Sequence, residues 1–156
     1  MLKEITGDLV EDKDIDIIIR DGYGDGFTDD DINRRLFEKY PKLSEHDENE
    51  YKDYGDYCGP GRMTGVKLDD GRAIVTWYTG PKVGHPDYDA IVRSANLFNQ
   101  YLYNRNVDHK ITVGVAKGIC GEEWPLVRQA MEEIADHQPQ DEFVIVKDIR
   151  PQETDS

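Results

Sequence analysis

Four short runs rich in β-branched and aromatic residues constrain this chain most: IDIIIR at 15–20, RAIVTWY at 72–78, ITVGVA at 111–116 and FVIVKDI at 143–149. Each has the length and composition of a sheet strand. Between them lie segments with helical periodicity. Residues 30–40, DDINRRLFEKY, place Ile32, Leu36, Phe37 and Tyr40 on one face. Asp29 to Asp31 sit where negative charge suits the start of a helix dipole, and the pattern stops before Pro41. From Tyr88 to about Tyr103, the residues Ile91, Val92, Ala95, Leu97, Phe98 and Leu102 recur three and four apart, behind a capping segment HPDYD. A third helix is predicted from Glu122 through Trp124, Leu126, Val127, Ala130, Met131 and Ile134, ending before Pro139. Strands alternating with helices predict an α/β sandwich.

A length of 156 residues suits one ordinary domain, expected over 1–150, with a frayed tail PQETDS at 151–156. The acidic segment SEHDENEYKDYGDY at 44–57 reads equally as a solvated helix or as a loop. Against 33 Asp and Glu stand 19 Lys and Arg, a net charge of −14. Such a surface repels phosphate backbones and anionic head groups, which argues against general nucleic-acid or membrane-surface binding. Two cysteines, Cys58 and Cys120, make neither a disulfide framework nor a metal set. No signal-like h-region opens the sequence, and no run nears the roughly 18 apolar residues that span a bilayer. The expectation is a cytoplasmic monomer without cofactor or metal.

The most informative local feature is ITVGVAKGICGEEW at 111–124, an apolar strand run followed by two glycines and a helix start. Main-chain amides at such a junction can seat an anion even where the side chains are acidic. Alternatively, Gly118 and Gly121 only make a tight turn. The loop lacks the Lys-Ser/Thr ending of a P-loop and follows a late strand, so neither nucleoside-triphosphate nor dinucleotide fingerprints fit. Cys120 lies where a helix N-terminus lowers a thiol pKa, although its side chain also suits packing. DGYGDGFTDDDI has acids at some EF-hand offsets, but Tyr23 and Ile32 fall where oxygen ligands are needed. His46, His85, His109 and His137 have no metal-ligand spacing.

Four stretches in order, ITGDLV (5–10), EKYPK (38–42), IVTWYTGP (74–81) and VAKGICGEEWPLV (115–127), resemble the macro domain family. The likeness is to its phage and yeast-type branch of ADP-ribose 1″-phosphate phosphatases and ADP-ribosyl hydrolases. That resemblance implies a three-layer α/β/α sandwich with a mixed central sheet. It further implies ADP-ribose, or an ADP-ribosylated substrate, in a cleft between DGYGDGF and AKGICG. Asp8 would accept from the adenine amino group, with Leu9 beside it. Gly118, Ile119, Cys120 and Gly121 would wrap the diphosphate and distal ribose, while Gly22, Gly24 and Gly26 give the facing loop its backbone freedom.

The family's active members carry an asparagine and a glycine run where this chain has RDGYGDGFTDDD (20–31), with no asparagine. Lys147 stands near the place of an adenine-stacking aromatic, and Lys82 near the Gly-Pro turn. The implied chemistry is removal of a phosphate or a protein from the distal ribose, with water activated by Asp21, Asp25 or His85. The missing asparagine also fits a module that binds ADP-ribose without turnover.

Overall fold

In the computed structural model, the described residues are 2–23, 31–54, 59–82, 84–105 and 109–149. They form six strands, β1 (Leu2–Gly7), β2 (Ile17–Tyr23), β3 (Met63–Lys67), β4 (Ala73–Gly80), β5 (Thr112–Ala116) and β6 (Glu142–Asp148). Four α-helices accompany them: α1 (Asp31–Lys39), α2 (Pro41–Tyr54), α3 (Tyr88–Asn104) and α4 (Trp124–His137). The sheet order is β1-β6-β5-β2-β4-β3. All neighbours are parallel except β3 and β4. Those two form a hairpin around Asp69-Asp70-Gly71, where Gly71 takes φ +88° and the Asp70 carboxylate accepts from the Arg72 amide at 3.0 Å.

Strand alternation divides the core into two layers. Ile17, Ile19, Val75, Trp77, Val113, Val115, Phe143 and Ile145 point to one face, where Ile91, Phe98 and Leu102 of α3 and Val127, Met131 and Ile134 of α4 cover them. Ile18, Val66, Ile74, Val144 and Val146 point to the other, covered by Leu36 of α1 and Leu43 of α2. This is the expected α/β/α sandwich with a mixed sheet. Leu9, Val10 and Ile15 also pack on the second face. Gly114 makes room for them, since a Cβ there would lie 2.8 Å from Leu9 Cδ1 and 2.9 Å from Ile15 Cγ2. Buried Arg72 closes this segment by donating to the carbonyls of Leu9, Val10 and Ile15 at 2.7 to 2.9 Å.

The structure decides one open choice and departs from the sequence reading in two details. The helical alternative holds for residues 41–54, with Pro41 as the first residue of α2, a position that needs no N–H donor. Edge strand β3 carries no apolar run long enough to announce itself. Helix α4 begins at Trp124 rather than Glu122, because Gly121–Glu123 form a 3₁₀ turn and Pro125 occupies the first helical turn. No helix of the described residues is long and apolar enough to cross a membrane. The tail at 151–156 lies outside the described residues.

Candidate functional site

Strands β2 and β5 are neighbours, yet the chain leaves them toward opposite faces of the sheet: β2 is followed by α1 on one side, β5 by α4 on the other. Such a divergence opens a crevice at the carboxyl ends of the strands, the usual ligand position in an open α/β sheet. Here it is a cleft of about 770 Å³, large enough for a nucleotide-sized ligand. Its walls are Asp21 and Tyr23 from β2, Asp31 and Ile32 from α1, Gly84 to Pro86 from the turn after β4, and residues 116–123.

The 117–123 loop partly bonds to itself. The amides of Ile119, Gly121 and Glu123 donate to the carbonyls of Ala116, Gly118 and Cys120, at 3.5, 3.2 and 3.0 Å. Those of Gly118 and Glu122 make no main-chain bond among the described residues, so fewer amides point outward than the sequence suggested. Gly118 (φ +90°) and Gly121 (φ +52°) are left-handed, and nothing lies within 4 Å of where either Cβ would be. Cys120 is also left-handed, at φ 64°, and its side chain is buried in the α3/α4 layer. Ile119 packs against both core layers. The loop thus fastens itself by two apolar side chains and leaves its glycine surface open.

The opposite wall is a buried polar network. Asp21, 5 % exposed, accepts at Oδ1 from Asn33 Nδ2 (3.2 Å) and at Oδ2 from the Tyr23 hydroxyl (3.0 Å). Asn33 Nδ2 also reaches the Asp21 carbonyl at 3.3 Å, and Asn33 Oδ1 accepts from Arg20 Nη1 at 3.2 Å. Arg20 donates further to Thr76 Oγ1 (2.8 Å) and Asp47 Oδ1 (2.5 Å). Burial, reinforced by the Asp21 charge, pushes the Tyr23 phenol far above its ordinary value, so it stays a neutral donor. Burial would raise Asp47, but His46 and Arg20 outweigh it and hold the carboxyl below the usual range.

The other sequence candidates divide by position. His85 is exposed on the cleft rim, in a turn closed by its amide on the Lys82 carbonyl at 3.0 Å. Gly22 is in the strand, where a Cβ would meet Thr76 Cγ2 at 2.6 Å, so its want of a side chain serves packing. Gly24, Asp25 and Gly26 lie outside the described residues. Asp8 and Leu9 are not on the cleft wall formed by these residues. Leu9 is core, 2 % exposed. The Asp8 carboxylate accepts from the amides of Val10 (3.1 Å) and Glu11 (3.3 Å) and from Arg35 Nη2 (2.5 Å). Burial raises its pKa, but Arg35 and the two amides prevail, and the net direction is down. Lys147 and Lys82 are exposed.

Sequence reasoning missed Asn33 and Arg20. Each broke a pattern: an amide on the apolar side of a helix, and an arginine ending a run of isoleucines. Among the described residues no group of three or more His, Cys, Asp or Glu is placed to hold a metal ion.

No family model matches the sequence, and no curated protein matches it. Solved structures do. The macrodomain of Mycobacterium tuberculosis DarG superposes with a TM-score of 0.77 at 20% identity, over 94% of this chain and 97% of that one. The macrodomain of Thermus aquaticus DarG gives 0.73 at 17% identity, over 97% and 99%. Thermosipho africanus DarTG in complex with ADP-ribose gives 0.69 at 12% identity, over 92% of this chain and 40% of that longer one. The crevice between diverging strands, with an open glycine loop on one wall, therefore stands on a macrodomain fold.

Proposed function

We propose that this protein binds ADP-ribose or a derivative in the β2/β5 crevice and hydrolyses a group from the distal ribose, either a phosphate or, in an ADP-ribosylated protein, the protein itself. The observation that carries the reading is the open surface over Gly118 and Gly121. Glycines at 22, 80 and 114 are crowded by neighbours, whereas these two, like Gly84 on the same cleft wall, face empty space. A ligand diphosphate laid there would meet outward amides and the N-terminal end of α4, both attractive to negative charge. A solved structure with the same fold, from Thermosipho africanus, is a complex with ADP-ribose.

In this reading the main chain from Gly118 to Gly121 seats the diphosphate. The adenine extends beyond the crevice wall to Asp8, the residue that follows β1. Asp21 or His85 accepts the proton of the attacking water, and Asp25 is a further candidate base. A second reading, binding without turnover, is favoured by one observation: both Asp21 carboxylate oxygens already accept hydrogen bonds, and the side chain is buried.

Calorimetry with ADP-ribose tests binding. Incubation with ADP-ribose 1″-phosphate and with ADP-ribosylated protein tests turnover, read as released phosphate or free ADP-ribose. Heat with product supports the enzyme, heat without product the reader. No heat at saturating ADP-ribose overturns both.

A further inference from the structure

We infer that Glu122 and Glu123 make the crevice selective among ADP-ribose derivatives, favouring those whose distal ribose carries a cationic, guanidinium-type group over those that carry a phosphate. The inference rests on the reading that ADP-ribose occupies this cleft, and it names the substrate class within it.

Three observations carry it. Glu122 and Glu123 lie on the cleft wall directly after the open glycines, and neither makes an ion pair among the described residues. Lys117 is the lysine on that wall, and its ammonium is held by Glu4 at 2.5 Å. Glu4 belongs to β1, two strands beyond β5 on the side away from β2, so the charge is drawn off the crevice. Across the cleft stand two further carboxylates, Asp21, which accepts from Tyr23 and Asn33, and Asp31, which is paired with Arg34 at 2.5 Å.

Seating of an anion therefore falls to the main chain. The amides of Gly118 and Glu122 make no main-chain bond among the described residues, and in this reading a diphosphate uses them. A second anionic group on the same ligand finds no partner there and faces two carboxylates. A protonated guanidinium in its place is attracted by the same pair. At separations of roughly 7 Å in water, each pair of unit charges changes affinity by a factor of about three, before screening. Two carboxylates that repel a phosphate and attract a guanidinium separate the ligand classes by roughly a hundredfold without screening, and by about tenfold at moderate salt.

The test is calorimetry at pH 7.5 with three ligands: ADP-ribose, ADP-ribose 1″-phosphate and ADP-ribosyl-arginine. Each is titrated into the protein and into the Glu122→Gln/Glu123→Gln double variant, at low and at high salt. Both changes are isosteric on a solvated turn, and a melting curve checks the fold. The expected result is ADP-ribosyl-arginine bound at least about tenfold tighter than the 1″-phosphate, with the gap shrinking severalfold in the double variant and at high salt. Equal or tighter binding of the 1″-phosphate overturns the inference while leaving the ADP-ribose reading intact, as does a gap that the double variant does not change. Absence of heat with all three ligands overturns the ADP-ribose reading, and the selectivity falls with it.

Discussion

Arg35 on α1 meets Asp8 at 2.5 Å and, with its other nitrogen, Asp148 at 3.1 Å, so one buried guanidinium ties the ends of β1 and β6 to the helix that follows β2. Asp8 is thereby a structural anion as well as the proposed adenine contact. Asp8→Asn keeps an acceptor for the Val10 and Glu11 amides but removes the charge facing Arg35. It is expected to lower unfolding free energy by about 1–3 kcal/mol in urea melts. ADP-ribose affinity, measured well below the lowered midpoint, is expected to fall as well. A loss of stability with unchanged affinity would assign Asp8 to the fold alone.

Acid should unfold the protein through the same kind of pair. Asp8, beside Arg35, and Asp47, beside His46 and Arg20, are both held below the usual carboxylate range in the folded protein. A carboxylate with a depressed folded pKa contributes stability above its unfolded pKa and loses it as pH falls through the folded one. Stability from these two groups is therefore complete at pH 6 and declines below about pH 4. Urea midpoints measured from pH 6 to pH 2.5 check this, and Asp47→Asn should flatten the acid limb.

Glycine substitutions should separate packing from ligand access. Gly80→Ala would drive a Cβ to 2.2 Å from the His85 carbonyl oxygen, a backbone clash expected to cost about 3 kcal/mol. Gly118→Ala meets no neighbour but must hold φ +90°, a strain of about 1 kcal/mol. Thermal melts should rank the two in that order. Gly118→Trp should fold nearly as well as Gly118→Ala yet bind ADP-ribose at least about tenfold more weakly, because its side chain fills the open surface.

Arg72 should prove one of the most sensitive positions. Its replacement by methionine removes the donor to the carbonyls of Leu9 and Ile15 and leaves that of Val10 only a 3.4 Å contact from Lys39 Nζ. The expected cost is about 3 kcal/mol or more. Amide exchange over residues 8–16 should accelerate ahead of that in β5 and β6, since the loop is released from a sheet that remains paired.

The helices α1, α3 and α4 and the four inner strands were legible because burial imposes a period: Ile91, Ala95, Phe98 and Leu102 recur along a helix, and β-branched residues cluster in strands. Where burial was slight the signal failed. Helix α2 turns mostly acids to solvent and fixes itself chiefly by Leu43, so SEHDENEYKDY could not be told from a loop. Of the site, the glycine loop was visible, because left-handed backbone at 118 and 121 demands a particular residue type. The Arg20–Asn33–Asp21–Tyr23 wall was not, since the bonds that join Asn33 to Arg20 and Asp21 span 13 and 12 positions and leave no periodic trace. Leu9 shows the converse. A motif position beside Asp8 suggested a ligand contact, and the structure shows a core side chain packed over Gly114.

The divergence of β2 and β5 has one more consequence. With the exception of Ile32, Ala116, Ile119 and Cys120, the side chains that fill the two apolar layers are not those that face the crevice. Replacements over the opening can therefore alter its charge and reactivity while the scaffold beneath keeps its shape. The carboxylates at 122 and 123 stand where such change is cheapest, on a turn where Glu122 is exposed, Glu123 is half-buried and neither is ion-paired among the described residues.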